Sequence, residues 1–235
     1  MMVRDPARWE FEVYDATLAL QDFLWFSSYD ALGTSSTEAV IHNYALTYAL
    51  NRFERAIVSD TLPRYEEDLA GMQYYCTPAR AKEVIRIGIT YNAVDERSQR
   101  TDSEQTINTP MLGQRRVIVP FLRRGARAEP VEFSFYLFAP RDTVPPRVIR
   151  LGKKRAPVRL EYRLLTDGRL VQRADTPTHL VNPLDVVGRI RTFWPISVPP
   201  SLVLDNATIE DDWFFVAGRD VVHVPKRLIG RSLLV

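Results

Sequence analysis

Apolar and polar side chains alternate with a period of two along much of this 235-residue chain, and this pattern restricts its fold. It is clearest at residues 84–92 and again at residues 131–139. Such alternation predicts half-buried strands. One strand pattern precedes a helical pattern, and many follow it. The order strand, helix, strand, then many strands favours an α+β fold with an antiparallel sheet, at a length that fits one domain over residues 1–235.

Shorter alternating or apolar runs predict the remaining strands. They lie at residues 8–20 (with an aromatic cluster at 23–26 that extends the strand), 116–122, 158–165, 202–204, 213–216 and 221–224, with a short helix or turn at 182–185. The link at residues 123–127 is short and basic, so the strands on either side of it are expected to pair as a hairpin. Asp167-Gly168 is a second hairpin signal.

The helical pattern follows a turn predicted at residues 33–37. Ser35 with Glu38 three residues later is a capping-box pattern, and apolar residues then keep helical spacing. The helix is therefore expected to begin there and to run to about Ala56. Residues 63–71 begin with proline, contain three consecutive acids and end with glycine, which predicts a second, short helix.

Several classes of protein are disfavoured by what the sequence lacks. The single cysteine, Cys76, rules out a disulfide framework and a cysteine zinc site. His42, His179 and His223 show no metal-ligand spacing, and no nucleotide-binding or zinc-protease motif occurs, so no metal or other cofactor is expected. No apolar run reaches the roughly 18 residues of a membrane span, and the N-terminus has no signal-peptide core. A cytoplasmic protein with no membrane partner is expected.

The net charge of +2 conceals an uneven distribution along the chain. Residues 1–76 carry 5 basic and 12 acidic side chains, a net charge of −7, whereas residues 77–235 carry 26 and 17, a net charge of +9. Arginine supplies 27 of the 31 basic residues, and its planar guanidinium suits phosphates and base edges. A general compositional bias toward arginine would give the same excess, so composition alone leaves both explanations open.

Two acid-poor segments concentrate the positive charge. Residues 147–163 contain seven cations against Glu161 alone, and Gly152 within them permits close approach of the backbone to a ligand. Residues 113–127 contain five arginines and no acid. The candidate phosphate-binding residues are Arg115, Arg116, Arg123, Arg124, Arg127, Arg150, Lys153, Lys154 and Arg155. A solvated loop and an edge hairpin kept soluble by charge are the alternative.

The predicted first helix carries aromatic residues that are also candidates for RNA binding. Tyr44 and Tyr48 are four residues apart and share a helix face, where with His42 they could stack on bases. Packing in the core is the alternative, and it is the commoner role for such side chains. His42, Tyr44 and Lys153 are also the groups that a metal-independent endoribonuclease would use, but no spacing pairs a histidine with a nucleophile. No catalytic residue is assigned.

Three segments together resemble one known family. They read Ile41-His-Asn-Tyr-Ala-Leu-Thr-Tyr-Ala-Leu50, Tyr74-Tyr-Cys-Thr-Pro-Ala79 and Ile149-Arg-Leu-Gly-Lys-Lys154. In this order and at this chain length they resemble the type I-D CRISPR-associated Cascade subunit of the fifth-class RAMP family. The likeness covers nearly the full chain, and the segment that begins at Ile41 is the most distinctive.

The resemblance implies a single RAMP domain with a modified ferredoxin-like (RRM-like) fold and a β-hairpin thumb, inserted at about residues 93–130. It implies a non-catalytic subunit that caps the 5′ handle of the CRISPR RNA (crRNA). Its implied partners are the large subunit and the backbone subunits, near the motif that flags target DNA. Processing of precursor crRNA is the alternative function. On this basis the hairpin at residues 123–127 is expected to be the thumb or part of it, and Lys153 and Lys154 are expected to contact handle phosphates.

Overall fold

A computed structural model describes residues 2–4, 9–31, 34–51, 65–93 and 111–232 of the chain. Within these ranges most strands pair antiparallel, in three sheets and a separate two-stranded hairpin, and helices are few. The predicted α+β class is thereby confirmed. No helix in the described ranges is long and apolar enough to cross a membrane.

The elements are numbered along the chain. The strands are β1 (Met2–Arg4), β2 (Phe11–Leu20), β3 (Tyr29–Ala31), β4 (Thr34–Ser36), β5 (Val40–Ile41), β6 (Tyr75–Cys76), β7 (Ala79–Ala81), β8 (Arg86–Ala93), β9 (Met111–Ile118), β10 (Phe121–Arg124), β11 (Arg127–Pro130), β12 (Glu132–Pro140), β13 (Val148–Leu151), β14 (Ala156–Leu164), β15 (Arg169–Asp175), β16 (Arg189–Val198), β17 (Ser201–Ala217) and β18 (Asp220–His223). The helices are α1 (Asn43–Leu50), α2 (Tyr65–Ala70) and α3 (Lys226–Ser232), with a 3-10 turn at Pro183–Asp185.

The central sheet has the order β13-β14-β2-β12-β7-β5, and β6 pairs with β12 as well. All of these pairings are antiparallel. Alternate residues of its strands, such as Leu18, Phe133 and Leu160, bury one face in a core that includes Leu46 of α1. Helix α1 lies between β2 and β6 in the chain, after β3–β5 and before α2, and it packs on β6 and β13.

Two further sheets flank the central one. The first has the order β1-β15-β17-β16, with β18 also on β17, and it packs on the other face of the central sheet through aromatic residues. Trp9, for example, lies with its ring centroid 6.0 Å from that of Phe138 in β12 and 6.1 Å from that of Phe215 in β17. The second has the order β3-β4-β9-β8.

The first helix begins later and ends earlier than predicted. Ser35 lies in β4, where its Oγ accepts the indole N–H of Trp25 at 3.1 Å, so no capping box forms. His42 caps the helix instead, because its Nδ1 accepts the backbone N–H of Tyr44 at 3.2 Å. Asn51, with an extended backbone, ends the helix before the predicted limit, and residues 52–56 lie outside the described ranges.

The hairpin expected about residues 123–127 forms only in part. The backbone N–H of Val131 donates to the carbonyl oxygen of Pro120 at 2.8 Å, but most of the two predicted strands pair elsewhere: β9 pairs with β8 and β4, and β12 pairs with β2, β6 and β7. The hairpin that forms is shorter, β10 with β11, and turns at Gly125 with a φ of +64°. The turn at Asp167-Gly168 joins β14 and β15, which belong to different sheets.

The C-terminal region also differs from the sequence prediction. The apolar runs at 202–204 and 213–216 belong to one 17-residue strand, β17. Asn206 and Asp211 have positive φ within it, so local irregularities there let the strand continue through polar residues. The aromatic cluster at 23–26 does not extend β2, which ends at Leu20. The predictions of β8, β14, β18, α2 and the 3-10 turn are confirmed within a few residues.

Candidate nucleic-acid interface

The turn between β13 and β14 lies against the segment that follows β2. The backbone N–H of Lys153 donates to the carbonyl oxygen of Trp25 at 2.9 Å. Gly152 has a φ of +74°, and a Cβ added there would lie 2.6 Å from the same carbonyl oxygen. Both the left-handed backbone and the lack of space therefore require glycine. The sequence indicated close approach at Gly152, but the partner is the chain's own backbone.

The indole of Trp25 brings the two basic segments together. Trp25 is only 9% exposed. The Cζ atom of Arg115 lies 5.5 Å from the ring centroid and the Nζ atom of Lys153 lies 5.4 Å from it. Cations within about 6 Å of an aromatic centroid are attracted to the ring. Lys153 is further held by donation from Nζ to Ser27 Oγ at 2.7 Å. We name Trp25, Arg115 and Lys153 the Trp25 cluster.

More cations surround the cluster on the same turn. Lys154 and Arg155 are exposed, and so is Arg150 at the end of β13. Arg150 donates from Nη1 to the carbonyl oxygen of Arg155 at 3.3 Å, which ties the strand to the turn. Four of the predicted phosphate-binding residues thus lie within residues 150–155.

Arg115 and Arg116 do not lie on the same side of β9. Arg115 is paired with Ile89 of β8, and Arg116 with Gly88. Consecutive side chains of a strand point to opposite faces of the sheet. Arg115 faces Trp25, so Arg116 faces the other way and is exposed over Gly88. The sequence predicted both as contacts for one ligand, and the structure separates them.

The hairpin of β10 and β11 is largely exposed. Leu122 is the buried side chain of these two strands, whereas Arg123 and Arg127 are exposed. Arg124 forms ion pairs with Glu83 at 2.8 Å and Glu129 at 3.4 Å, so its charge is balanced locally.

The base of this hairpin lies close to the Trp25 cluster. Leu24 and Ile118 exchange two backbone hydrogen bonds, each 3.0 Å long. Leu24 precedes Trp25, and Ile118 is the last residue of β9, just before the hairpin begins. The two basic segments therefore flank residues 24–25, although they are distant in sequence.

His42 is a buried capping residue rather than an exposed ligand-binding group. It is 2% exposed, and this burial lowers the pKa of its imidazole to about 4, so the ring is neutral at pH 7. Since Nδ1 accepts from Tyr44, the proton lies on Nε2 and is donated to Ser201 Oγ at 2.9 Å. The side chain joins α1 to β17.

Tyr44 and Tyr48 pack within the protein, which was the alternative to base stacking. Tyr44 is 2% exposed, with its ring centroid 4.9 Å from that of Tyr65. Tyr48 contacts Tyr65 edge-on at 6.0 Å and donates its hydroxyl to Asp68 at 2.8 Å. Because Tyr44 offers no exposed face for a base and the Tyr48 hydroxyl already binds Asp68, we leave both out of the interface.

Asn43 lies in a buried polar network that the sequence did not reveal. Its Nδ2 donates to Asp185 at 2.9 Å, and its Oδ1 accepts from Asn182 at 3.1 Å. The hydroxyl of Tyr75 donates to the other oxygen of Asp185 at 2.6 Å. Desolvation by burial outweighs these donors and raises the pKa of Asp185 to about 6. The network ties α1 and β6 to the 3-10 turn.

In the described ranges, the acidic and the basic part of the sequence do not form two separate charged faces. Strand β2, from the acidic part, lies between β12 and β14 of the basic part. Ion pairs cross between the parts: Arg163 lies 2.7 Å from Asp15, and Arg86 lies 3.3 Å from Glu38. Among the described residues, residues 150–155 contain four exposed cations and no acid.

Comparison with known proteins identifies the family. A family model described as type I-D CRISPR-associated protein Cas5/Csc1 matches residues 11–229, which is nearly the whole chain. The chain belongs to this family. It is thus a type I-D CRISPR Cascade subunit, as the resemblance implied. Among curated proteins, no match to the chain was found.

In this member of the Cas5/Csc1 family, the three segments that carry the resemblance are neighbours in space. Helix α1 packs on β6, which lies within the second segment, and on β13, which overlaps the third. Asn51 at the end of α1 accepts the backbone N–H of Tyr74 at 2.9 Å, and Thr47 Oγ1 accepts that of Cys76 at 3.3 Å. Much of the similarity in the first two segments therefore reflects how the fold is held together.

Proposed function

We propose that this Cas5/Csc1 family member is the non-catalytic subunit that caps the 5′ handle of crRNA. It also joins the large subunit to the backbone subunits, near the target-DNA flanking motif. The observation that supports RNA binding most is that Arg115 and Lys153, from two distant basic segments, both lie against the ring of Trp25. Two basic segments predicted separately as phosphate contacts each bring one cation to this ring.

The geometry of the Trp25 cluster suits an extended RNA backbone. RNA single strands are bound through phosphates, splayed bases and 2′-hydroxyls. The ammonium of Lys153 is held in place by Ser27 and by the ring of Trp25, so binding a phosphate orders little further side-chain freedom. Exposed Lys154, Arg155 and Arg150 continue the positive surface along the turn.

We propose the hairpin of β10 and β11 as the thumb or its tip. Its exposed Arg123 and Arg127 lie on opposite faces of the hairpin, because Arg127 is paired with Arg124, and each supplies a further cation for phosphate contacts. Residues 94–110 of the inserted unit expected at about residues 93–130 lie outside the described ranges, and β9 of this unit pairs with β8 back to Arg86. Arg124 is a weaker contact than its neighbours because two carboxylates already bind it.

The order of the central sheet supports a modified ferredoxin-like fold. In chain order its four main strands are β2, then β6 with β7, then β12, then β14. Across the sheet from β14 they follow the order 4-1-3-2, because β14 is followed by β2, β12 and β7. Helix α1 connects the first to the second, as in a split β-α-β unit. Strand β13, in place of a second helix, connects the third to the fourth, and this is the modification.

Burial of the candidate general base supports a non-catalytic role. A general base must come within hydrogen-bonding reach of its substrate. His42 is 2% exposed and bound on both ring nitrogens, and Tyr44 is equally buried. Purified protein incubated with repeat RNA in EDTA is therefore expected to leave the RNA intact. Site-specific cleavage would instead establish the endoribonuclease alternative.

The double variant Lys153→Ala/Lys154→Ala tests the handle-binding proposal. Removal of one phosphate-binding cation should reduce the slope of log affinity against log salt by about one, so the slope should fall by up to about two. The measurement is the affinity of the purified protein for handle RNA across a salt series.

A matched control for this variant comes from the adjacent strand β14. Arg159 and Arg163 are exposed, but they pair with Glu161 at 3.2 Å and Asp15 at 2.7 Å. The double variant Arg159→Ala/Arg163→Ala removes the same charge and should change the slope by less than one. Equal slopes for the lysine variant and the unaltered protein would refute the assignment.

A further inference from the structure

The edge of the sheet formed by β16 exposes large apolar side chains. β16 is the outermost strand in the sheet order and pairs with β17. Trp194 is 71% exposed and Phe193 is 45% exposed, and Leu202 at the start of β17 is 44% exposed. Long edge strands with exposed apolar side chains favour association with another molecule. We name these three residues the β16 edge.

The aromatic anchor of this edge is held on a rigid ribbon. From Trp194 to Val198 the pairing with β17 is regular, so Trp194 shares one face with Ile196 and Val198. Val198 is buried in a small core with Val203, and Ile196 packs against that core. The ring of Trp194 therefore extends a packed apolar stripe beyond the core, and ordering it in a complex has a low entropic cost.

Apolar side chains project from the opposite face of the ribbon as well. Leu202 lies directly across from Ser197, on the face opposite Trp194. A partner that covers both Trp194 and Leu202 must contact both faces of the β16–β17 pair around the free edge of β16. A cleft in a folded partner has this shape.

Most charges beside the edge are paired with opposite charges. Arg191 lies 2.7 Å from Glu210, and Arg189 lies directly across from that same acid. Asp205, the cross-strand neighbour of Trp194, pairs with Arg80 at 2.7 Å. Nucleic acids are bound largely through neutralised phosphates, which requires an excess of cations. An apolar surface with little excess charge and an exposed tryptophan suits a protein partner.

Pro195 disfavours a second copy of this chain that would extend the sheet edge to edge. Proline has no N–H to donate, and this one lies in the middle of the edge strand, next to Trp194. A partner strand would lose a ladder hydrogen bond at that point. Binding must therefore depend on side chains rather than on the backbone.

We propose that the β16 edge docks a protein subunit of the Cascade complex, with Trp194 inserted in an apolar pocket of that subunit. This inference rests on the bridging part of the proposed function and is independent of handle binding. It names the surface and the kind of partner, which family membership does not.

The test uses the purified chain and the purified protein subunits of the complex, mixed pairwise without RNA. Trp194→Ala is expected to weaken association with one subunit at least tenfold, as for an aromatic anchor at an interface. Trp194→Arg is expected to weaken it at least as much, because a cation does not fit an apolar pocket. Tyr29→Ala is the matched control: Tyr29 is an aromatic residue 65% exposed on a different sheet, and the variant should bind like the unaltered protein.

Each other outcome overturns the proposal. Unchanged association of Trp194→Ala with every subunit shows that the edge is not the docking surface. Weaker handle-RNA binding by Trp194→Ala that is restored in Trp194→Arg shows a nucleic-acid surface instead. A dimer in sedimentation that Trp194→Ala abolishes shows self-association.

Two controls separate this test from folding defects and from handle binding. Unfolding temperatures equal to that of the unaltered protein check that the variants fold. Lys153→Ala/Lys154→Ala should associate with the subunits normally, even where its RNA binding fails.

Discussion

Replacement of Gly152 by alanine is expected to destabilise the protein by about 2–4 kcal/mol. The added Cβ meets a backbone carbonyl at 2.6 Å, and a backbone atom cannot move aside as a flexible side chain can. The φ of +74° adds the strain of a left-handed residue. Urea denaturation measures the loss. The variant should also bind handle RNA more weakly, because the turn that carries Lys153 must shift away from Trp25.

Gly125 provides a matched control for this prediction. It also has a positive φ, +64°, in a hairpin turn of a basic segment, but no atom lies within 4 Å of an added Cβ. Gly125→Ala therefore carries the backbone strain alone and should cost about 1 kcal/mol. Equal losses for the two variants would contradict the close packing of the turn on Trp25.

The variant Asn43→Ala is expected to lose about 2–4 kcal/mol of stability. The change removes a donor to the buried carboxylate of Asp185 and leaves Asn182 without its acceptor. Polar groups that are buried without partners are costly, and a buried charge is costlier still. Chemical denaturation of the variant and the unaltered protein gives the difference.

The loss for Asn43→Ala should depend on pH. Burial raises the pKa of Asp185 to about 6, above the roughly 3.9 of an unfolded chain. The stability contributed by the protonated carboxyl is thus fully present below pH 4 and is lost as the pH rises through 6. The ionised form depends most on its donors, so the loss should be larger at pH 7.5 than at pH 4.5. Tyr75→Phe, which removes the other donor, should show the same trend, and a pH-independent loss in both would refute it.

Local sequence patterns predicted individual elements better than their pairing. Alternation located β8 and β12 because the period of two is a property of each strand alone. The capping box at Ser35 failed because a distant indole, that of Trp25, takes the hydroxyl. The hairpin signal at Asp167 marks a real turn with positive φ, but the strands it joins find partners in different sheets. Those partners depend on packing across the whole chain.

The cations of the candidate interface could be predicted from the sequence, but their arrangement around Trp25 could not. Basic, acid-poor segments located Arg115 and Lys153, and the glycine between cations marked a close approach. No pattern near Trp25 indicated that it lies between the two segments, because that contact joins three distant parts of the chain. His42 and Tyr44 were candidates on residue type and helical spacing, and their burial depends on tertiary contacts with Ser201 and Tyr65.

The position of the crRNA handle on the protein tests the proposed function most directly. An assembled complex would carry crRNA with a photoreactive 4-thiouridine at successive positions of the 5′ handle, and mass spectrometry would locate the adducts. We expect adducts in peptides that contain residues 150–155 and Arg115, with further adducts at the hairpin of β10 and β11. Handle adducts confined to other subunits, or to parts of this chain away from Trp25, would contradict the proposal.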